Sequence, residues 1–187
     1  MSNLSGRDWL HTNEHRWPNS KSIDDLDSSW TNDVKKFIKV LKDANPNISI
    51  RITSTRRPHE RAYLMHFCWK IANKKIEPKD VPKEPGVDIQ WDHGNKEKSI
   101  KAAQEMVDFF KIAYPAARVS NHTLGKAIDM YITWKESFTV GSLPDGSHRG
   151  LDEPSNSVDN HDLHEIGRLF GVVKKVDDAP HWSYNGK

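Results

Sequence analysis

Apolar residues recur along this chain at two spacings. Val34, Phe37, Ile38 and Leu41 stand three and four positions apart, the period of a helix that buries one face. Asn45-Pro46-Asn47 ends that helix. Ile48, Ile50 and Ile52 then alternate with Ser49, Arg51 and Thr53, as a half-buried strand requires. Pro58 suits the first turn of a helix carrying Tyr63 to Ile71. Ile100, Ala103, Met106, Val107 and Phe110 form the stripe of a third helix, and Leu163, Ile166, Leu169 and Phe170 that of a last one, stopped by Gly171. From Gly125 to Thr133 the two-residue period returns, with Ile128, Met130 and Ile132 on one face and Ala127, Asp129 and Tyr131 on the other.

The stretches between are polar. Asn73 to Gly86 is rich in Lys, Pro and Glu and reads as an exposed loop; Val140 to Asn160 reads as a long polar loop. Val172 to Val176 and His181 to Tyr184 suit short closing strands. Residues 1–30 show no period and are expected to form an irregular arm ahead of a domain over 31–187. Helices and strands mix without regular βαβ alternation, which predicts an α+β fold with a small antiparallel sheet flanked by helices.

Composition narrows the function classes. The 187 residues suit one domain, and 28 basic against 26 acidic side chains leave a net charge of only +2 with the signs intermixed. That balance offers no electrostatic case for a nucleic-acid partner. No run is long and apolar enough for membrane insertion, and the polar stretch from Met1 to Lys21 lacks the apolar region of a secretory signal. Cys68 is the sole cysteine, so no internal disulfide can form; its setting, Met65-His66-Phe67-Cys68-Trp69, suits a packed thiol.

Chemistry concentrates in two places. Asp129 points away from the apolar face of its strand. His122, seven residues earlier, would lie on the opposite face of a continuous strand, and Gly125 supplies the bend that brings the two to one point. Ala127 shares the Asp129 face and leaves room beside it. An imidazole and a carboxylate converging there suit zinc. Near the end of the sequence, Asp177-Asp178-Ala179-Pro180-His181-Trp182 offers His181 as a third ligand. Asp178, three residues before it and stiffened by Pro180, is placed as a general base. Three protein ligands with one open position describe a catalytic zinc.

Together these residues resemble a known family. Ser120-x-His122-x-x-Gly125-x-Ala127-x-Asp129 matches every fixed position of the SxHxxGxAxD motif of zinc peptidases acting on bacterial cell walls. These are the D-Ala-D-Ala carboxypeptidases and dipeptidases, the L-Ala-D-Glu endolysins, and the wider group sharing the fold of the Hedgehog signalling domain. The resemblance spans roughly Ile48 to Tyr184. It implies a Hedgehog-like fold, Zn2+ held by His122, Asp129 and His181, and Asp178 as base, where many relatives carry Glu and the endolysin branch Asp. Ser54-Thr55-Arg56-Arg57-Pro58 is similar to the family's Ser-Gly-Tyr-Arg segment, with Thr55 and Arg56 in place of Gly and Tyr. The Arg that stabilises the oxyanion would fall on Arg57, with Arg56 beside it as the alternative. Ser120 and Arg56 are positions expected to face substrate; Trp91, Trp134 and Trp182 read as packing residues, with Trp182, next to a ligand, also a candidate wall of the substrate cleft.

The implied activity is hydrolysis of an amide bond in the peptidoglycan stem peptide, by a carboxypeptidase or an endopeptidase. The protein would be made in the cytoplasm and act in the periplasm or wall. It would get there as a phage endolysin released through a membrane hole, or as an injected antibacterial effector with an immunity protein as further partner. The alternative is a non-catalytic zinc-bound binding module of the same fold. Among the other histidines, His11-Thr12-Asn13-Glu14-His15 fits an HxxEH pattern but runs into Arg16-Trp17-Pro18 without an apolar stripe, and His161 and His164 suit a solvated helix face. Asp177 reads as a solvated neighbour of Asp178.

Overall fold

The computed structural model describes residues 3–187. Five α-helices and six strands follow one another as α1 (Arg7–Asn13), α2 (Ser28–Ala44), β1 (Ser49–Ser54), α3 (His59–Ala72), α4 (Lys96–Phe110), β2 (Ala127–Thr133), β3 (Phe138–Val140), β4 (Arg149–Leu151), α5 (His161–Leu169), β5 (Val173–Lys174) and β6 (His181–Ser183). The α+β class expected from the sequence is therefore what the chain adopts. It divides into two compact units, Met1–Asn19 with Arg57–Thr123, and Ser20–Arg56 with Leu124–Lys187. No helix among the described residues is long and apolar enough to cross a membrane.

The first unit is helical. Trp9, Leu10, Trp17, Tyr63, Phe67 and Met106 belong to its buried core, where Cys68 lies fully buried as a packed thiol. Burial pushes the Cys68 thiol up, well away from the range in which a thiolate forms. The beginning of the chain departs from the expected irregular arm. It forms α1 and a 3₁₀ turn over Glu14–Arg16, and Ser5 N–H donates to the carbonyl of Gln90 at 2.9 Å. The apolar anchors Trp9, Leu10 and Trp17 are too widely spaced in a polar stretch to leave a period, yet their burial gives this short helix its stability. Met1 and Ser2 lie outside the described residues.

The second unit holds every named strand. Its main sheet runs β1-β2-β6-β5, antiparallel throughout. On one face, Ile128, Met130 and Ile132 are fully buried, as their alternation predicts, together with Val34, Phe37 and Leu41 of α2 and Leu163 and Ile166 of α5. Capping side chains set the helix starts: Asp27 accepts from Ser29 N–H at 3.0 Å before α2, and Asn160 from Leu163 N–H at 2.8 Å before α5. The segment expected as one long polar loop contains the β3–β4 hairpin instead. Val140, Leu143 and Leu151 are its buried contributions, too few and too short to show a period.

Trp182 takes the packing role of its two expected ones, and His164 corrects the sequence reading. Trp182 has no exposed surface and packs between Phe37, with ring centroids 5.5 Å apart, and His164, at 5.7 Å; it is a core residue and does not wall a substrate cleft. His164 is buried as well, unlike a residue of a solvated face, and its Nε2 meets the Ser157 carbonyl at 2.9 Å. Desolvation holds the His164 pKa below that of a free imidazole. The unfolded chain therefore takes up the proton at a higher pH, near about 6.5. The contribution of His164 is fully present above that pH and is lost as the pH falls through the lower, folded value. Urea unfolding of the metal-free protein at pH 7.5 and 5.5 should show a smaller pH-dependent loss in His164→Gln than in the wild type.

Candidate metal centre

Strand register brings the carboxylate to the last imidazole. Asp129 and His181 are 52 positions apart in sequence but are direct partners across β2 and β6. Cross-strand partners place their side chains on the same face of a sheet. Here that is the face away from Ile128 and Met130, and Asp129 Oδ1 lies 3.2 Å from His181 Nδ1. Asp129 is half-buried and His181 buried.

The turn before β2 carries His122. Ser120 and Thr123 cap each other: Thr123 Oγ1 accepts from Ser120 N–H at 2.8 Å and donates to the Ser120 carbonyl at 2.9 Å, while Ser120 Oγ accepts from Thr123 N–H at 3.3 Å. The motif serine is thus engaged in forming the turn. Gly125 then makes the expected bend at φ +70°, a region L residues avoid. Its carbonyl accepts from Asp27 N–H at 2.9 Å, and a Cβ there would stand 2.8 Å from that same nitrogen. Only glycine combines this turn with so close a backbone approach.

His122, Asp129 and His181 each offer one ligand atom, and these atoms all lie within 4.8 Å of one another. Around a tetrahedral zinc with bonds of about 2.0–2.1 Å, donor atoms stand roughly 3.3 Å apart. The Asp129–His181 separation already meets that spacing. The donors also fit a cation electronically. His181 Nε2 lies 3.1 Å from the main-chain oxygen of Lys187. An imidazole that turns one nitrogen to a main-chain oxygen and the other to a carboxylate can take a metal ion at the second position, as it can a proton. A ring nitrogen that donates to a backbone carbonyl while the other faces the metal is the usual outer support of a ligating histidine.

Arg57 joins this region through its backbone, donating N–H to the His122 carbonyl at 3.0 Å. Its side chain is half-buried, whereas Arg56 is exposed and its carbonyl accepts from Ser20 N–H at 2.9 Å. Asp178 is exposed in the turn before β6 and is not among the three clustered donors. Asp177 is exposed too and pairs with Lys175, the solvated role expected of it. His11 and His15, the ends of the HxxEH pattern, are exposed and belong to no metal-competent group among the described residues.

Sequence reading passed over Lys174. It is buried, and its ammonium lies among carbonyls of the turn that carries Asp178. The available signal was a lysine in the strand-like run Val172 to Val176. Comparison with protein-family models, with curated proteins and with solved structures finds no match.

Two outcomes follow from this geometry. His122→Ala, Asp129→Ala and His181→Ala should each weaken retention of a divalent metal ion after dialysis, read by metal analysis against the wild type. Gly125→Ala combines a positive φ with a backbone collision. It should cost about 1–3 kcal/mol of stability, measured by urea unfolding.

Proposed function

We propose that this chain is a zinc-dependent peptidoglycan peptidase of the D-Ala-D-Ala carboxypeptidase and L-Ala-D-Glu endolysin type, with a Hedgehog-like fold. One observation carries this reading. The three donors that come together are the residues on which the motif resemblance puts the zinc ligands, and one of them lies beyond the motif itself. A structural coincidence would have no reason to recruit His181, far along the chain.

In this reading His122, Asp129 and His181 hold the ion. Zinc held there would supply Lewis acidity to the scissile carbonyl and make a water more acidic, towards neutral pH. Asp178, exposed in the turn before β6, accepts the proton of the attacking water and returns it to the departing amine. The guanidinium of Arg57 offsets the negative charge that develops on the substrate oxygen. A well-placed donor of this kind contributes about 3–4 kcal/mol to the transition state. Ser120 shapes the turn behind His122.

The test is digestion of defined stem peptides and muropeptides with zinc-loaded protein, followed by mass spectrometry. New amine-bearing fragments should appear, vanish with chelator and return with zinc. Asp178→Asn should keep zinc and lose turnover by about a hundredfold or more. Zinc retention with no cleavage of any stem peptide would favour the non-catalytic binding module instead.

A further inference from the structure

The turn between β5 and β6 is assembled around a buried ammonium. Lys174, the last residue of β5, is only 6% exposed, and its Nζ lies 2.6 Å from the carbonyl oxygen of Lys175, 2.6 Å from that of Asp178 and 3.4 Å from that of His181. An ammonium has three donors and no acceptor, so three carbonyls meet its full capacity.

The same three carbonyls also close the turn. Asp178 N–H donates to Lys175 at 3.2 Å, His181 N–H to Asp178 at 3.0 Å, and Lys175 N–H to His181 at 3.0 Å. The backbone from Lys175 to His181 is therefore a ring of turns whose oxygens face one cation. Burial removes the hydration of this charge, and the three carbonyls stand in for it. The carboxylates of Asp178, Asp129 and Asp177 act on Lys174 favourably, and its ammonium lies 5.8 Å from the centre of the Trp182 ring.

We infer that Lys174 is a positioning residue of the metal centre: its ammonium gathers the carbonyls of Lys175, Asp178 and His181 and so fixes the turn that presents Asp178 and the ligand His181. The part concerning Asp178 rests on the peptidase reading; the part concerning His181 rests on the metal-competent cluster. Lys174→Met keeps the length and apolar stem of the side chain but removes the charge and all three donors. The backbone bonds of the turn remain, so the variant retains the fold while the turn loosens.

Zinc affinity measured by chelator competition should fall by about 10–100-fold in Lys174→Met, the range typical of outer supports of metal ligands. Hydrolysis of a defined stem peptide should lose about a hundredfold in kcat with KM little changed, as misplacement of a reacting group does. Val34→Ala, a core truncation in α2, serves as control: it should lower the Tm and leave zinc affinity unaltered. In the wild type, the 15N resonance of the Lys174 ammonium should be protected from solvent exchange and show couplings to the carbonyl carbons of Lys175 and Asp178. This measurement holds whether or not the Met variant folds.

Wild-type zinc affinity in Lys174→Met, or a freely exchanging Lys174 ammonium, would overturn the inference. A wild-type chain that binds no zinc refutes the metal-centre role and the peptidase reading together. Zinc binding without cleavage refutes the peptidase reading alone and leaves the affinity comparison to decide the clamp.

Discussion

The pairing of Asp129 with His181 across β2 and β6 is the constraint from which the site follows. A shift of one residue in that register would turn one of the two side chains to the opposite face of the sheet. The register is held from the apolar side: Ile128 and Trp182, the next pair along, are both fully buried. Hydrophobic packing on one face thus determines which polar atoms meet on the other. In that register Nδ1 and Oδ1 stand 3.2 Å apart.

Around this pair, buried polar groups are met by backbone carbonyls. His164 meets Ser157, His181 meets Lys187, and Lys174 meets Lys175, Asp178 and His181. Each contact replaces hydration that burial removes, and each also ties a loop or turn to a strand or helix. Lys174 and His181 follow this pattern where the chain turns back into β6. The same hydrogen bonds that make burial tolerable therefore give the turn its shape. The proposed peptidase chemistry asks for such rigidity, since a base and a ligand three residues apart must keep a fixed relation.

Much of this was legible in the chain. The buried stripe of α2, the alternation of β2 and the bend at Gly125 follow from residue type and spacing, because local sterics and one-sided burial act over a few residues. The three donors were also legible, through a motif and a histidine placed in order after it. Other features were not. Trp9, Leu10 and Trp17 are too sparse to announce a helix and its packing, and Val140, Leu143 and Leu151 too sparse to announce a hairpin. Trp182 beside a ligand suggested a cleft wall, yet alternation along β6 turns it to the core while His181 faces the other way.

By itself, then, the sequence determined the α+β class, the principal helices and strands, and the residue types able to bind a metal. These depend on local periodicity and on chemical identity. Only the tertiary structure decided which face each group takes, that Lys174 is enclosed by carbonyls, and that His181 turns Nε2 to Lys187 and Nδ1 to Asp129. Those outcomes depend on strand register and on what burial leaves for each polar atom to bond, and both arise between segments far apart in the chain.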